Sequence, residues 1–244
     1  MILICLFLIT VLAYGVKAIT GFGNTLVMAS LFSFAVPNRL TTPIDLIFSL
    51  PTNAYMVCRE RKSIKLKLIL PISILLVAGA IPGTLILKGG NDCGLKAFLG
   101  IVIIGIGMEM LLRRPSQHLK TKSNPVLLMT IGIISGALAG MYGIGAPLVA
   151  YINRTTANHS EFRANLCCVF LVDNLFRLVY YSSVGLISWE VVKFSMILAP
   201  AAALGMCLGV KLDSKLKKDM VRMATIGLLI VSGFLLFINN ILLH

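Results

Sequence analysis

Apolar runs of membrane-crossing length recur along the chain, separated by short polar and basic segments. Six of them, at about 41–58, 68–87, 95–112, 162–182, 191–210 and 222–243, have the roughly 20-residue length of a spanning helix. Two others, 1–36 and 126–153, do not fit one straight helix. At about 1.5 Å per residue the first would run roughly 54 Å, well past the ~30 Å hydrocarbon core. It must bend, and Thr20-Gly21-Phe22-Gly23-Asn24-Thr25-Leu26-Val27 is where it can. The second holds the counterpart, Gly140-Met141-Tyr142-Gly143-Ile144-Gly145-Ala146-Pro147-Leu148-Val149-Ala150-Tyr151. Glycines two apart, followed by a helix starter, end one helix and begin another. Backbone freed this way at membrane depth is tolerated only where it is buried in protein or lines a cavity.

Composition agrees with the pattern. With 58% hydrophobic and 13% charged residues and a mean hydropathy of +0.94, the chain is too apolar for a soluble globule. An all-α polytopic membrane protein is expected, with the lipid bilayer as its surroundings. The net charge of +13 does not point to nucleic acid, because the basic residues lie between apolar runs, where they set topology. Met1 to Ala13 lacks a basic stretch ahead of its apolar residues, so it is expected to remain as a membrane segment rather than be cleaved. Cys5, Cys58, Cys93, Cys167, Cys168 and Cys207 show no metal-type spacing and are expected as small buried hydrophobes. His118, His159 and His244 lie outside the apolar cores. No metal and no cofactor is expected.

Lysine and arginine decide how the broken segments run, since they concentrate in cytoplasmic loops. If both segments cross once, the basic residues divide ten against ten. If both turn back, Arg59 to Lys67, Arg113 to Lys122, Arg154 with Arg163, and Lys211 to Arg222 share one side. That gives sixteen against four, the four being Arg39, Lys88, Lys96 and Lys193. The second division is a normal positive-inside pattern, so each broken segment is expected as a hairpin, with both termini outside.

The halves resemble each other. Gly21 and Gly23 match Gly143 and Gly145, Asn53 lies near the place of Asn174, and Gly79-x-x-x-Gly83 matches Gly205-x-x-x-Gly209. Each half is one hairpin plus three spans, and an odd number of spans inserts the second copy upside down, as in many secondary transporters. The expected division is a first membrane repeat at 1–114, a cytoplasmic linker at 115–125 and a second membrane repeat at 126–244. The GxxxG pairs are expected to pack neighbouring helices closely.

The glycine breaks, the run Gly143 to Tyr151, then Glu161-Phe162-Arg163-Ala164-Asn165, Asn174, and Tyr180-Tyr181-Ser182-Ser183-Val184-Gly185-Leu186 resemble the sulfite exporter TauE/SafE family of membrane permeases. That resemblance covers essentially the whole chain. It implies a secondary transporter of the bacterial or archaeal cytoplasmic (inner) membrane for sulfur-containing anions such as sulfite or organosulfonates. Where the family often carries further glycines, this chain has Asn24-Thr25 and Ala146-Pro147.

The residues after each break fit a substrate site on their own chemistry. Asn24 or Thr25 can cap a helix N-terminus, and Pro147 suits a first helical turn, where its missing N–H is no loss. Two returning half-helices with inward N-termini would make an anion site, and Gly21, Gly23, Gly143 and Gly145 with Ala146 would let a ligand approach the backbone. Lys17, one turn before Gly21, is an intramembrane charge and hence a candidate ligand, unless it snorkels to the interface. Arg163, Asn174 and Asn53 complete the candidates. Asp173 with Arg177, and Glu109 with Arg113, are four apart and expected to pair. A small anionic substrate is the expected partner; a homo-oligomer is compatible with the sequence. Two other classes are an intramembrane enzyme and a non-transporting membrane subunit. The enzyme would need a base beside Ser135, and no histidine lies in a span.

The charge count generates a direct test of topology. On a cysteine-free background, single cysteines replacing Asn91 and Ser188 label from outside, and those replacing Ser63, Ser116 and Ser214 from inside. Cysteines replacing Asn38 and Asn158 must label from opposite sides; labelling from the same side rules out two oppositely inserted hairpins.

Overall fold

The computed structural model describes residues 2–112, 125–156, 159–213 and 218–241. Every regular element among them is helical: α1 (Ile2–Thr20), α2 (Asn24–Phe32), α3 (Asn38–Arg59), a 3-10 turn (Arg61–Ser63), α4 (Leu66–Gly89), α5 (Asp92–Leu112), α6 (Pro125–Tyr142), α7 (Ala146–Thr155), α8 (His159–Ser183), α9 (Trp189–Leu212) and α10 (Lys218–Ile241). The protein is an all-α polytopic membrane protein. Helix α1, α4, the stretch Cys93–Leu112 of α5, and α9 are each long and apolar enough to cross a bilayer. Both expected breaks are present, between α1 and α2 and between α6 and α7. The linker expected at 115–125 lies outside the described residues except Pro125, where α6 starts, and so does Arg113, the partner expected for Glu109.

Polarity runs opposite to that of a soluble protein. Leu66, Leu70, Ile74, Ile81 and Leu85 of α4 are exposed; their spacing puts them on one helix face, which lipid covers. Thr10, Lys17, Asp45, Asn53, Asp173, Asn174 and Arg177 are buried. Apolar burial does little to drive helices together in lipid, so close backbone packing and internal hydrogen bonds must hold them.

The chain forms two compact units. One gathers α1, α2, the start of α3, α5, α9 and α10; the other gathers the rest of α3, α4, α6, α7 and α8, the division falling between Asp45 and Leu46. In the first unit α1 packs along α9 and α5 along α10. A Cβ at Gly205 would lie 2.4 Å from the Val11 carbonyl oxygen, and one at Gly209 2.6 Å from that of Gly15. In the second unit α4 meets α6 in the same way. A Cβ at Gly79 would lie 2.2 Å from the Ile133 oxygen, and one at Gly83 2.1 Å from the Ala137 oxygen. From the α6 side, Cβ atoms at Gly136 and Gly140 would strike the Leu76 and Ala80 oxygens at 2.2 and 2.3 Å. Each GxxxG pair therefore serves the helix that leads into a glycine break, and it does so across the halves of the sequence.

Asn38, at the start of α3, is buried and its Oδ1 accepts from Ser33 Oγ at 2.7 Å. Arg39 beside it is exposed and is the better reporter position for the labelling test above.

Alanine at Gly79 or Gly205 has no room, and overpacking of this kind costs about 1–3 kcal/mol. Gly79→Ala and Gly205→Ala should each lower the unfolding temperature in detergent. Gly105→Ala, where a Cβ meets nothing within 4 Å, should leave it unchanged or raise it slightly, since alanine is the better helix former by about 1 kcal/mol. Equal behaviour of the three variants would show that the GxxxG contacts do not hold these helices.

Candidate functional site

The first break is built by glycines that only the left-handed region accommodates. Gly21 (φ 86°) ends α1, its N–H donating to the Lys17 carbonyl at 2.7 Å, the single-bond αL cap of a helix C-terminus. Thr20 Oγ1 spans the turn, donating to Val16 O and accepting from Phe22 N–H. Gly23 (φ 95°) then takes the N-cap position of α2. The expected side-chain cap is absent: Asn24 and Thr25 turn instead to a carboxylate on α3. Asn24 Nδ2 donates to Asp45 Oδ1 at 2.9 Å, Thr25 Oγ1 to Asp45 Oδ2 at 2.6 Å, and Tyr14 Oη of α1 to Oδ1 at 2.8 Å. Asn24 Nδ2 also lies 3.4 Å from Tyr14 Oη, which brings α2 back along α1.

Lys17 belongs to this cluster. It is 2% exposed, and its ammonium lies 5.6 Å from the centroid of the Tyr14 ring, within cation–π range. Its side chain is packed inside the protein, so the snorkelling alternative is not the arrangement found.

The second break repeats the helix ending and changes the support. Gly143 (φ 75°) closes α6 with its N–H on the Ala139 carbonyl at 2.8 Å. Gly145 caps α7 at φ −101°, and Pro147 occupies the first turn as expected. The carbonyls at the end of α6 are taken up by α8: Arg177 Nη1 donates to Ala139 O at 2.9 Å and Tyr181 Oη to Gly140 O at 2.7 Å. Arg177 Nε donates to Asp173 Oδ2 at 2.7 Å, the expected pair four residues apart, and its Nη2 to Asn174 Oδ1, also at 2.7 Å. Asn174 Nδ2, Asp173 Oδ1 and, on α3, Asn53 Oδ1 are buried without a hydrogen-bond partner. Gly145 is pressed against Phe170 of α8, whose Cε1 would lie 2.5 Å from a Cβ there, so a side chain at Gly145 tests this packing before it tests a ligand.

Arg163 lies at the turn between α3 and α4. Its Nη2 is 4.0 Å from Glu60 Oε1 and 3.9 Å from Met56 Sδ. Neighbours of Arg163 dock the same turn: Glu161 pairs with Lys65 at 2.6 Å, and Asn165 holds Lys65 N and Ser63 O. The segment Glu161 to Asn165 thus fixes a loop, while Asn174 stands with the residues that hold the second break. Ser135 is buried and its hydroxyl has no hydrogen-bond partner, so no base is aimed at it. Asp45 is the residue the sequence reasoning passed over, although an ionisable group inside the apolar run 41–58 was a signal in plain view. Tyr14 and Phe170 gave none, since aromatic residues are ordinary in membrane helices, and Tyr181 stands in the run Tyr180 to Leu186 that carries the family resemblance without any sign of its contact with Gly140.

A family model described as "Sulfite exporter TauE/SafE" matches residues 6–236 of the chain. A protein of Cupriavidus necator described as "Probable sulfite/organosulfonate exporter TauE" is 24% identical over 224 residues, covering 89% of this chain and 86% of that one. No solved structure matches the chain.

Tyr181 provides a test of how the second break is supported. Tyr181→Phe leaves the buried Gly140 carbonyl without this donor, a loss of about 1–3 kcal/mol. The variant should unfold at lower temperature in detergent, whereas Ser182→Ala, which removes an exposed hydroxyl bonded to its own helix, should not.

Proposed function

The chain belongs to the sulfite exporter TauE/SafE family, and from that membership we propose that it is a secondary transporter carrying a small sulfur oxyanion, sulfite or an organosulfonate, across the cytoplasmic membrane by alternating access. The observation that supports a site at the second break most directly is Asn174. Its amide is 2% exposed, its Oδ1 is held by Arg177, and its Nδ2 has no partner. An unmet buried donor costs about 1–3 kcal/mol, a cost that a ligand oxygen removes on binding. Asp173 offsets the charge of Arg177, so attraction here comes from neutral donors and the N-terminal end of α7. Asn53 is a further buried amide, but its unmet atom is the acceptor Oδ1, which a ligand O–H or N–H would meet and an anionic oxygen would not. In the other unit Lys17 places an ammonium over Tyr14 near the first break, in the cluster that also holds the Asp45 carboxylate.

Residues 1–114 and 126–244 are, on this proposal, inverted copies with both chain termini outside. In keeping with that, the helix leading into each break packs on the GxxxG helix from the other half of the sequence.

Uptake of labelled sulfite and sulfoacetate into proteoliposomes is the test. The wild type should carry at least one of them above empty vesicles and sulfate should compete weakly; transport of neither would sink the proposal. Asn174→Leu, similar in volume, should cut uptake about tenfold, the equivalent of about 1.4 kcal/mol, in protein that stays monodisperse, with a lower unfolding temperature because Arg177 Nη2 loses its Oδ1 acceptor. Lys17→Gln should weaken uptake in a protein that stays monodisperse. A variant carrying the anion like the wild type would remove its residue from the site.

A further inference from the structure

We propose that the second break selects an anion that carries an O–H beside its anionic oxygens, as hydrogensulfite and the hydroxyalkanesulfonates do, with Asn174 Nδ2 donating to a ligand oxygen and Asp173 Oδ1 accepting the ligand's O–H. This rests on the transport function proposed above and narrows its substrate class. Asp173 and Asn174 are neighbours on α8 and both are buried. Each keeps one polar atom without a hydrogen-bond partner, Oδ1 of the aspartate and Nδ2 of the asparagine. Arg177 decides which atoms these are. Its Nε donates to Asp173 Oδ2 and its Nη2 to Asn174 Oδ1, both at 2.7 Å. One edge of the guanidinium thus takes one oxygen from each residue, and a carboxylate oxygen and an amide N–H group are left as the free ends.

These free ends lie at the level of the break. Phe170, Asn174, Arg177 and Tyr181 follow one another at helical spacing and share a face of α8. At one end of that face Phe170 meets Gly145, the N-cap of α7. At the other, Arg177 and Tyr181 hold the carbonyls of Ala139 and Gly140 near the end of α6. Asp173 and Asn174 fall between, where one helix has ended and the next begins.

Paired with a guanidinium that is charged at any working pH, Asp173 serves as a carboxylate. The pair is neutral as a whole, and Oδ1 offers only lone pairs. An anion made of oxygens alone, brought to Asn174, sets its own lone pairs against that oxygen. An anion with one O–H answers both atoms: one of its oxygens accepts from Nδ2, and its hydroxyl donates to Oδ1 in a charge-assisted bond. Hydrogensulfite has that donor, whereas the sulfite dianion and sulfoacetate lack it. Asn53 Oδ1 on α3 is a further unmet acceptor in the same unit, which makes it the rival partner for the ligand's hydroxyl.

Pairs of anions of equal charge, in which a methyl group replaces the hydroxyl, test this selection: hydrogensulfite against methanesulfinate, and 2-hydroxyethanesulfonate against 1-propanesulfonate. They are bound at equilibrium to purified protein in one mildly acidic buffer, where sulfite is mainly hydrogensulfite; competition against uptake in proteoliposomes gives the same ratios where binding is weak. In each pair that binds, the hydroxyl anion should bind at least about tenfold more tightly. A ratio near one, or the preference for methyl that an apolar pocket gives, overturns the proposal. Asp173→Asn leaves an oxygen for Arg177 and turns an amide N–H to the ligand, so the ratio should fall at least about fivefold. The ratio is read rather than the affinity, because this variant also leaves the charge of Arg177 unbalanced; an unchanged ratio overturns the proposal. Asn53→Leu should keep the ratio, and losing it there gives the acceptor role to Asn53 and overturns that of Asp173. If Asp173→Asn does not fold, the wild-type ratios and Asn53→Leu decide. Wild-type protein that binds none of the four and carries neither sulfite nor sulfoacetate removes the transport proposal, and this one with it. Uptake without discrimination leaves transport standing and removes the selection alone.

Discussion

A helix broken inside a membrane exposes carbonyl and N–H groups that no water can satisfy, and the organisation of this protein follows from meeting that demand twice. At the end of α6 the demand is met from α8, where Arg177 and Tyr181 reach the carbonyls of Ala139 and Gly140. At the first break the glycines and Thr20 close the turn locally, and the incoming helix is secured by side chains bonded to Asp45. One break is stabilised through its backbone, the other through a carboxylate. They share a glycine signature and a helix-ending geometry, but not a chemistry.

Packing around the breaks comes from surfaces without side chains. The helix leading into each break lies so close to its neighbour that the missing Cβ atoms would overlap carbonyl oxygens. Contact at that range is rigid, because a helix cannot slide across it without lifting off. Polar side chains can then be spent on the breaks rather than on joining helices, and they are concentrated on α1, α3 and α8.

Much of this was legible in the sequence. Run lengths gave the helices, Gly21 to Gly23 and Gly143 to Gly145 marked the breaks, and the spacing of Asp173 and Arg177 gave their pair. These are local signals, read over a few residues. What the sequence hid depends on contacts between distant segments. Asn24 and Thr25 look like caps by position, and only the approach of α3 makes them partners of Asp45. Arg163 sits in a motif that suggests a ligand, yet the turn between α3 and α4 brings Glu60 to it. Phe170 and Tyr181 are aromatic residues in an apolar run until α6 is laid beside them.

The pairing of α1 with α9 also bears on how the protein is made. About 170 residues separate the end of α1 from the start of α9, which at about 5–20 residues per second is on the order of ten to thirty seconds of synthesis. Throughout that interval α1, already carrying Lys17 within an apolar helix, lacks the surface against which Gly15 and Ala18 finally rest. The nascent first segment is thus a poorly satisfied membrane helix that must be held by the insertion machinery or by α2 and α3 until the far end of the chain arrives. Assembly of this unit is set by the last helices to leave the ribosome rather than the first.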